Sequence, residues 1–242
     1  MKFSIYFTPN GLTQNDVAGH PVLVVDVLRT TTTIVTALGN GAKAVLPAET
    51  TADAIQLSNN LERDDILLAG EQGYEPIEGF QCGNSPLEMT ADKVKDMSLV
   101  MTTTNGTRAL LATEPGGPVF VGAIINFSAA ASAAKAAFEE AGALIILCGG
   151  SERRFALEDA YVAGRFARAI LPSRARGVKI DDATIAALQL VRRYGDRWKT
   201  AVNASAAARQ LKEKGMAKDV AASTDVDGFD IVPRYAERQV KV

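Results

Sequence analysis

The 242-residue sequence predicts an α/β protein, a layered and mostly parallel sheet flanked by helices, and three observations carry that prediction. Short apolar runs recur without polar alternation, as in strands covered on both faces. Each run leads through a polar turn into a segment of helical period. The order repeats along the chain with no low-complexity linker to divide it. Residues 1–242 are therefore read as one compact unit, with room for two similar lobes and a cleft between them.

Taken in order, residues 1–7 read as a first strand. Strands follow at 21–25, 44–46, 66–69, 99–101, 119–121 and 143–147, all apolar and mostly rich in β-branched residues. Helical segments fall at 31–38, 51–60, 107–111, 127–141, 157–170 and 181–194. The more polar tail carries a further helix at 198–212, a stop at Gly215 and a turn at Asp225-Val226-Asp227-Gly228. Residues 26–38 and 101–110 share an order of strand end, threonine cluster and Ala-Leu pair, which an internal duplication and a chance bias toward Ala and Thr account for equally well.

Composition narrows the function classes. The formal net charge is −2, so no global basic field draws the chain to nucleic acid or anionic lipid. The apolar runs are too short to span a bilayer, and residues 1–7 lack a signal-peptide core. Cys82 and Cys148 form no disulfide framework and no metal-type spacing, and His20 is the one histidine, which disfavours zinc hydrolase chemistry. The expectation is a soluble, cytoplasmic protein, with homo-oligomerisation left open.

Four strand tips carry the chemistry. Asp26-Val27-Leu28-Arg29-Thr30-Thr31-Thr32-Thr33 lies at a strand-to-helix turn, where ligands bind in open parallel sheets. Threonine hydroxyls, amides and Arg29 suit a phosphate or sulfonate, and Asp26 suits a hard cation beside it. The plainer reading is a threonine cap with Asp26 and Arg29 as a structural ion pair, but four threonines exceed what one cap needs. The second tip, Thr102-Thr103-Thr104-Asn105-Gly106-Thr107-Arg108, repeats the pattern with an Asn-Gly turn that exposes successive amides. Two such loops suit a ligand with two anionic ends.

At the third tip Glu71 stands like Asp26, just past a strand. Downstream, Asn84-Ser85-Pro86 reads as a helix start, with Ser85 as cap and Glu88 closing a capping box; capping alone accounts for Ser85 as well as substrate contact does. The fourth tip is Cys148-Gly149-Gly150-Ser151, followed by Glu158-Asp159 at a helix start. Adjacent helical residues diverge by about 100°, so one of the two acids faces a cleft. Such acids also complement the helix dipole without further role, and Cys148 fits an inert buried thiol as well as a reactive one. Residues 225–230 resemble a calcium loop only superficially, lacking the spacing and final glutamate.

In this order, the motifs around Asp26–Arg29, Glu71, Gly79-Phe80 with Gly83-Asn84-Ser85-Pro86, Thr103–Arg108 and Glu158-Asp159 resemble the 2-phosphosulfolactate phosphatase family, over roughly residues 3–235. The resemblance implies an α/β fold of two similar lobes, a Mg²⁺ ion and hydrolysis of 2-phospho-3-sulfolactate to 3-sulfolactate and phosphate, a step of coenzyme M biosynthesis. That substrate carries phosphate, carboxylate and sulfonate, which suits two arginine-containing loops.

The expected catalytic set is Asp26, Glu71, Glu158 and Cys148, with Mg²⁺ on Asp26, Glu71 and Asp159. The expected substrate contacts are Arg29, Thr30, Thr31, Asn84, Ser85, Thr104, Asn105, Gly106, Thr107 and Arg108. The nucleophile stays open among a carboxylate-activated water, Asp26 and Cys148. Leu28 stands where a haloacid-dehalogenase-type enzyme carries a second aspartate, which disfavours that chemistry. A non-catalytic binding protein for acidic phosphorylated metabolites is the rival reading, although carboxylates around a phosphate cradle would repel its ligand. A nucleotide-binding transferase is disfavoured because no phosphate-loop or dinucleotide glycine motif follows a strand.

Overall fold

The computed structural model describes residues 1–61, 65–114, 116–172 and 177–242. Its first half runs β1 (Lys2–Tyr6), α1 (Gln14–Val17), β2 (Val22–Val25), α2 (Thr30–Gly39), β3 (Ala44–Pro47), α3 (Thr51–Leu61), β4 (Ile66–Gln72), β5 (Glu75–Pro76), α4 (Ala91–Val94), β6 (Ser98–Thr102) and α5 (Gly106–Leu111). The second half runs β7 (Val119–Gly122), α6 (Phe127–Ala141), β8 (Ala143–Cys148), α7 (Leu157–Ile170), β9 (Lys179–Ile180), α8 (Asp182–Tyr194), α9 (Trp198–Asn203), α10 (Ala206–Glu213), α11 (Ala217–Ala222), β10 (Arg234–Ala236) and β11 (Gln239–Lys241).

All strands join one sheet in the order β5-β4-β6-β3-β11-β10-β7-β2-β8-β1-β9. Two parallel blocks, β4-β6-β3 and β7-β2-β8-β1-β9, are stitched by the antiparallel hairpin β10–β11. Both faces of the parallel strands are covered, as their unbroken apolar runs require. In β2, Leu23 and Val25 join the core beneath α6 and α7, while Val22 and Val24 join the core on the opposite face. Each such side chain, fully buried, contributes roughly 1.5–3 kcal/mol. The position of Asp26, directly after this strand, is thereby fixed by packing.

The α/β class and the parallel strands match the sequence reading, and the differences have physical causes. The helix expected over 198–212 breaks at Ala204 because Ser205 starts a new helix, its hydroxyl accepting the Ala208 amide at 3.1 Å. The β10–β11 hairpin escaped notice because Glu237 and Arg238, at φ 51° and 59°, fill turn positions where Asn-Gly is the usual signal. Ser85 does cap a short 3₁₀ turn, accepting the Leu87 amide, but Glu88 accepts from Gly83 at 2.8 Å, so no reciprocal capping box forms. Asp227 accepts from both the amide and hydroxyl of Ser128 at 2.7 Å, holding the tail turn on the start of α6. Among the described residues no helix is long and apolar enough to cross a membrane.

Candidate active site

The carboxyl ends of β2, β4 and β6 converge on one pocket, lined by Asp26, Arg29, Thr30, Glu71, Tyr74, Asn84, Thr104, Asn105, Ser151 and Glu152 among others. It encloses about 380 Å³, including its open mouth. In the sheet, β2 and β6 are five strand spacings apart, roughly 24 Å if the sheet were flat. Loops and sheet curvature close that gap, so that Thr30 Oγ1 donates to Thr103 Oγ1 at 3.2 Å.

Asp26 sits at the floor. Its Oδ1 accepts the Thr30 amide at 3.3 Å, and its Oδ2 lies where a Cβ on Gly106 or Gly149 would come within 2.5 or 2.6 Å. Only glycine at those two positions leaves the carboxylate its space. The Leu28–Arg29 peptide that follows is cis.

The threonines after β2 knit the turn together more than they line it. The Thr31 hydroxyl donates to the Asp26 carbonyl at 2.8 Å and accepts its amide at 3.0 Å; Thr32 donates to the Val27 carbonyl, and Thr33 to the Asn84 carbonyl. Thr107 does the same after β6, donating to the Thr103 carbonyl and accepting its amide. Thr31 and Thr107 are fully buried, and Gly106 is buried against Thr30, so these three expected contacts shape the walls rather than face the hollow. Thr30, Asn84, Thr104 and Asn105 do line it. Ser85 lies beside it, donating to Asp219 Oδ1 at 2.9 Å.

Glu71 ties two loops to the pocket. Its Oε1 accepts the Thr104 amide at 2.8 Å, and its Oε2 accepts the Tyr74 amide at 2.7 Å and the Thr104 hydroxyl at 3.1 Å. The two acids that open α7 part ways, as helical geometry requires. Asp159 is a strut, accepting the Val27 amide on Oδ1 at 2.9 Å and the Gly150 amide on Oδ2 at 3.0 Å. Glu158 is buried close enough to Asp26 for the two charges to interact.

Burial dominates the electrostatics, and neighbouring carboxylates add to it. Burial pushes Asp26 up to about 7, opposed by hydrogen bonds from Thr30 and reinforced by the charges of Glu71 and Glu158. Burial raises Glu158 as well, opposed by its own amide and the Ser205 hydroxyl. Burial, then the charges of Asp26 and Glu158, push Asp159 well above the carboxylate range despite its two amide donors. Cys148 faces the core beneath α7, outside the pocket. Burial and the charges of Asp159, Glu158 and Asp26 push its thiol well up, the reverse of what a thiolate nucleophile needs.

The ion pair of the plainer reading, between Asp26 and Arg29, does not form, in line with the preference for a ligand-binding turn. Arg29 Nη1 instead meets Asp219 Oδ2 at 2.6 Å, with both side chains buried. Arg108 borders an adjoining pocket with Asn10, Thr104, Asn105, Gly149 and Arg153. Asn10 and Asn105 hold the 151–154 turn there: Asn10 Nδ2 donates to the Arg153 carbonyl, and Asn105 Oδ1 accepts the Glu152 amide, both at 3.1 Å.

Three neighbours of the site had no sequence signal. Tyr74 sits at φ 72° beside Gly73, with its carbonyl on Arg29 Nη2 at 3.1 Å. Burial raises its phenol, a Ser151 hydrogen bond opposes, and the charges of Glu158, Asp26 and Glu71 raise it further. Asp219 lies in a tail helix of ordinary amphipathic pattern, and Arg153 in a charged turn. The positive φ of Tyr74 and of Arg153, at 72° and 64°, marks unusual backbone, and that is invisible in the letters.

The donor set suits a hard cation. Among the described residues no three His, Cys, Asp or Glu side chains form a ready-made cage. Asp26 and Glu71 nevertheless share the pocket with Asn84 Oδ1, a buried oxygen with no hydrogen-bond partner. Two carboxylates and one amide oxygen match Mg²⁺, which keeps several waters and takes further oxygens from a substrate phosphate. Asp159 carries the Val27 and Gly150 amides and, unlike Glu71, does not line the pocket, so it is less suited to that role than Asn84.

The sequence also matches known proteins over nearly its whole length. The family model described as 2-phosphosulpholactate phosphatase matches residues 6–238. The chain is 36% identical over 234 residues to a "Probable 2-phosphosulfolactate phosphatase" of Caldanaerobacter subterraneus subsp. tengcongensis, covering 97% of this chain and 95% of that one. Proteins of the same description from Symbiobacterium thermophilum and Clostridium beijerinckii are 36% identical over 228 residues and 30% identical over 246; the matches cover 93% and 99% of this chain and 95% and 99% of theirs.

Proposed function

Because the chain belongs to the 2-phosphosulfolactate phosphatase family, a family of phosphoric monoester hydrolases, we propose that it removes phosphate from 2-phospho-3-sulfolactate with the help of Mg²⁺. The observation that carries the reading is the meeting of Asp26 and Arg29, from the turn after β2, with Glu71 of β4 in one pocket.

Asp26 and Glu71, with Asn84 Oδ1, would hold the cation. When bound, Mg²⁺ supplies Lewis-acid charge to the phosphoryl oxygens. Arg29 binds those oxygens through the N–H groups its protein partners leave free. A water attacks phosphorus and gives its proton to Glu158, where burial raises the affinity for a proton. The new O–P bond forms as the P–O bond to C2 of the acid breaks, and the proton passes to the departing alkoxide. Arg108 and Arg153 on the adjoining pocket bind the carboxylate and sulfonate.

The reading is tested by phosphate release from a panel of 2-phospho-hydroxy acids, with and without Mg²⁺. The sulfonated substrate is expected to turn over fastest and only with the cation. Release from none of them would favour a non-catalytic receptor for phosphorylated acids. In the same assay Glu71→Gln is expected to raise the Mg²⁺ needed for half-maximal rate by about 10- to 100-fold. An unchanged requirement removes Glu71 from the cation site.

A further inference from the structure

We infer that Asp219 is a positioning residue that holds the Arg29 guanidinium at the phosphate end of the pocket and away from the carboxylates of Asp26 and Glu71. The inference rests on the reading of Arg29 as the phosphate clamp. Asp219 lies on α11, 190 residues along the chain from Arg29. Its Oδ2 accepts Arg29 Nη1 at 2.6 Å, and its Oδ1 accepts the Ser85 hydroxyl at 2.9 Å. The two side chains are 3% and 7% exposed.

The rest of the guanidinium is fixed too. Nη1 also donates to Met216 Sδ at 3.0 Å, and Nη2 donates to the Tyr74 carbonyl at 3.1 Å. A guanidinium has five N–H groups, so the Nε–H and one Nη2–H remain, on a residue that borders the pocket. An ion pair at Lys214 and Glu75, 2.5 Å apart, pins the chain just before α11 to the loop that carries Tyr74. The tail helices thus grip Arg29 from one side and the β4–β5 turn grips it from the other.

Stability alone does not account for the pair, because a buried ion pair rarely outperforms an apolar one of the same shape. The choice of partner is the informative part. Asp26 and Glu71 line the same pocket as Arg29, and either would pair with a loose guanidinium. Such pairing would fill the cation site and remove the donor for the phosphate. Asp219 offers Arg29 a third carboxylate outside that site and keeps both halves of the pocket open.

A double-mutant cycle tests this, read by calorimetric titration of inorganic phosphate in the presence of Mg²⁺ and, separately, by kcat and KM. Asp219→Asn keeps the shape and loses the charge; it is expected to weaken phosphate binding about 10- to 100-fold. Arg29→Ala should lose at least as much, and the double variant no more than Arg29→Ala alone. Ser85→Ala removes a single hydrogen bond and leaves the charge; a loss of about threefold is expected, which serves where Asp219→Asn does not fold. Asp219→Glu should recover part of the affinity. Wild-type affinity in Asp219→Asn, or losses that multiply in the double variant, would overturn the inference while wild-type turnover leaves the phosphatase reading intact. A non-additive cycle in a protein that releases no phosphate would do the opposite, and a wild-type protein that binds no phosphate would end both.

Discussion

The turn after β2 and the turn after β6 are written in nearly the same letters, threonines followed or preceded by one arginine at a helix start, yet they do different work. In the first, Thr31, Thr32 and Thr33 bond to neighbouring main chain, and Arg29 is buried on Asp219. In the second, Thr104 stays on the pocket wall and donates to Glu71, and Arg108 has no ion-pair partner among the described residues. The first turn is thus a locked fixture whose charge is already balanced, and the second presents an unbalanced one. With Arg29 neutralised, Asp26 and Glu71 leave the floor negative. On the proposed reading, a polyanion needs a cation there, and Arg108 and Arg153 at the rim draw its far end.

The comparison breaks most easily at its two arginines. Arg29→Ala strands Asp219 in the interior, so unfolding stability should fall by about 3–5 kcal/mol as turnover collapses. Denaturant titration at neutral pH measures the first effect; an unchanged midpoint would make Arg29 an ordinary surface clamp. Arg108→Ala should leave the melting temperature in place and cost about 2–4 kcal/mol in kcat/KM. Equal stability losses in the two variants would erase the distinction drawn between the turns.

The crowded floor gives a prediction of the next size. The Asp26 pKa rises from 3.8 to about 7 on folding. The folded state then binds that proton more tightly, so the metal-free protein loses stability as pH climbs from 3.8 towards 7 and levels off above. Asp26→Asn removes this term. Its metal-free form should be more stable than wild type at pH 8, by an amount on the order of a few kcal/mol, and the gap should close near pH 4. Melting curves with and without Mg²⁺ check it; a variant less stable at pH 8 contradicts a destabilising buried charge at Asp26. The smallest effect belongs to Cys148→Ala, expected to stay within about threefold of wild-type kcat because the thiol faces the core. Loss of turnover with intact folding would return Cys148 to the mechanism.

The parallel strands were legible because a strand buried on both faces must be apolar throughout, as at Val22–Val25. Strand ends could be located for the same reason, and with them Asp26 and the Thr104–Asn105 turn; the strand read as 66–69 instead runs on through Glu71 to Gln72, where it pairs with β5. What the sequence hid depends on long-range partners. Four threonines in a row look like an open hydroxyl cradle until Val27 and Asn84 carbonyls occupy them. Asp219 looks like any acid on a polar helix until it meets Arg29. The split between Glu158 and Asp159 follows from helical geometry, but which of the two turned to backbone amides depended on where Val27 and Gly150 lie.

The central claim is that Asp26 and Glu71 gather one divalent cation in the pocket that Arg29 borders. A crystal grown with Mn²⁺, as an anomalously scattering stand-in for Mg²⁺, and with inorganic phosphate tests it directly. The expected map has one strong anomalous peak within coordination distance of both carboxylates, with phosphate between it and the Arg29 guanidinium. A peak elsewhere, or none at Mn²⁺ concentrations that sustain turnover, would contradict the account.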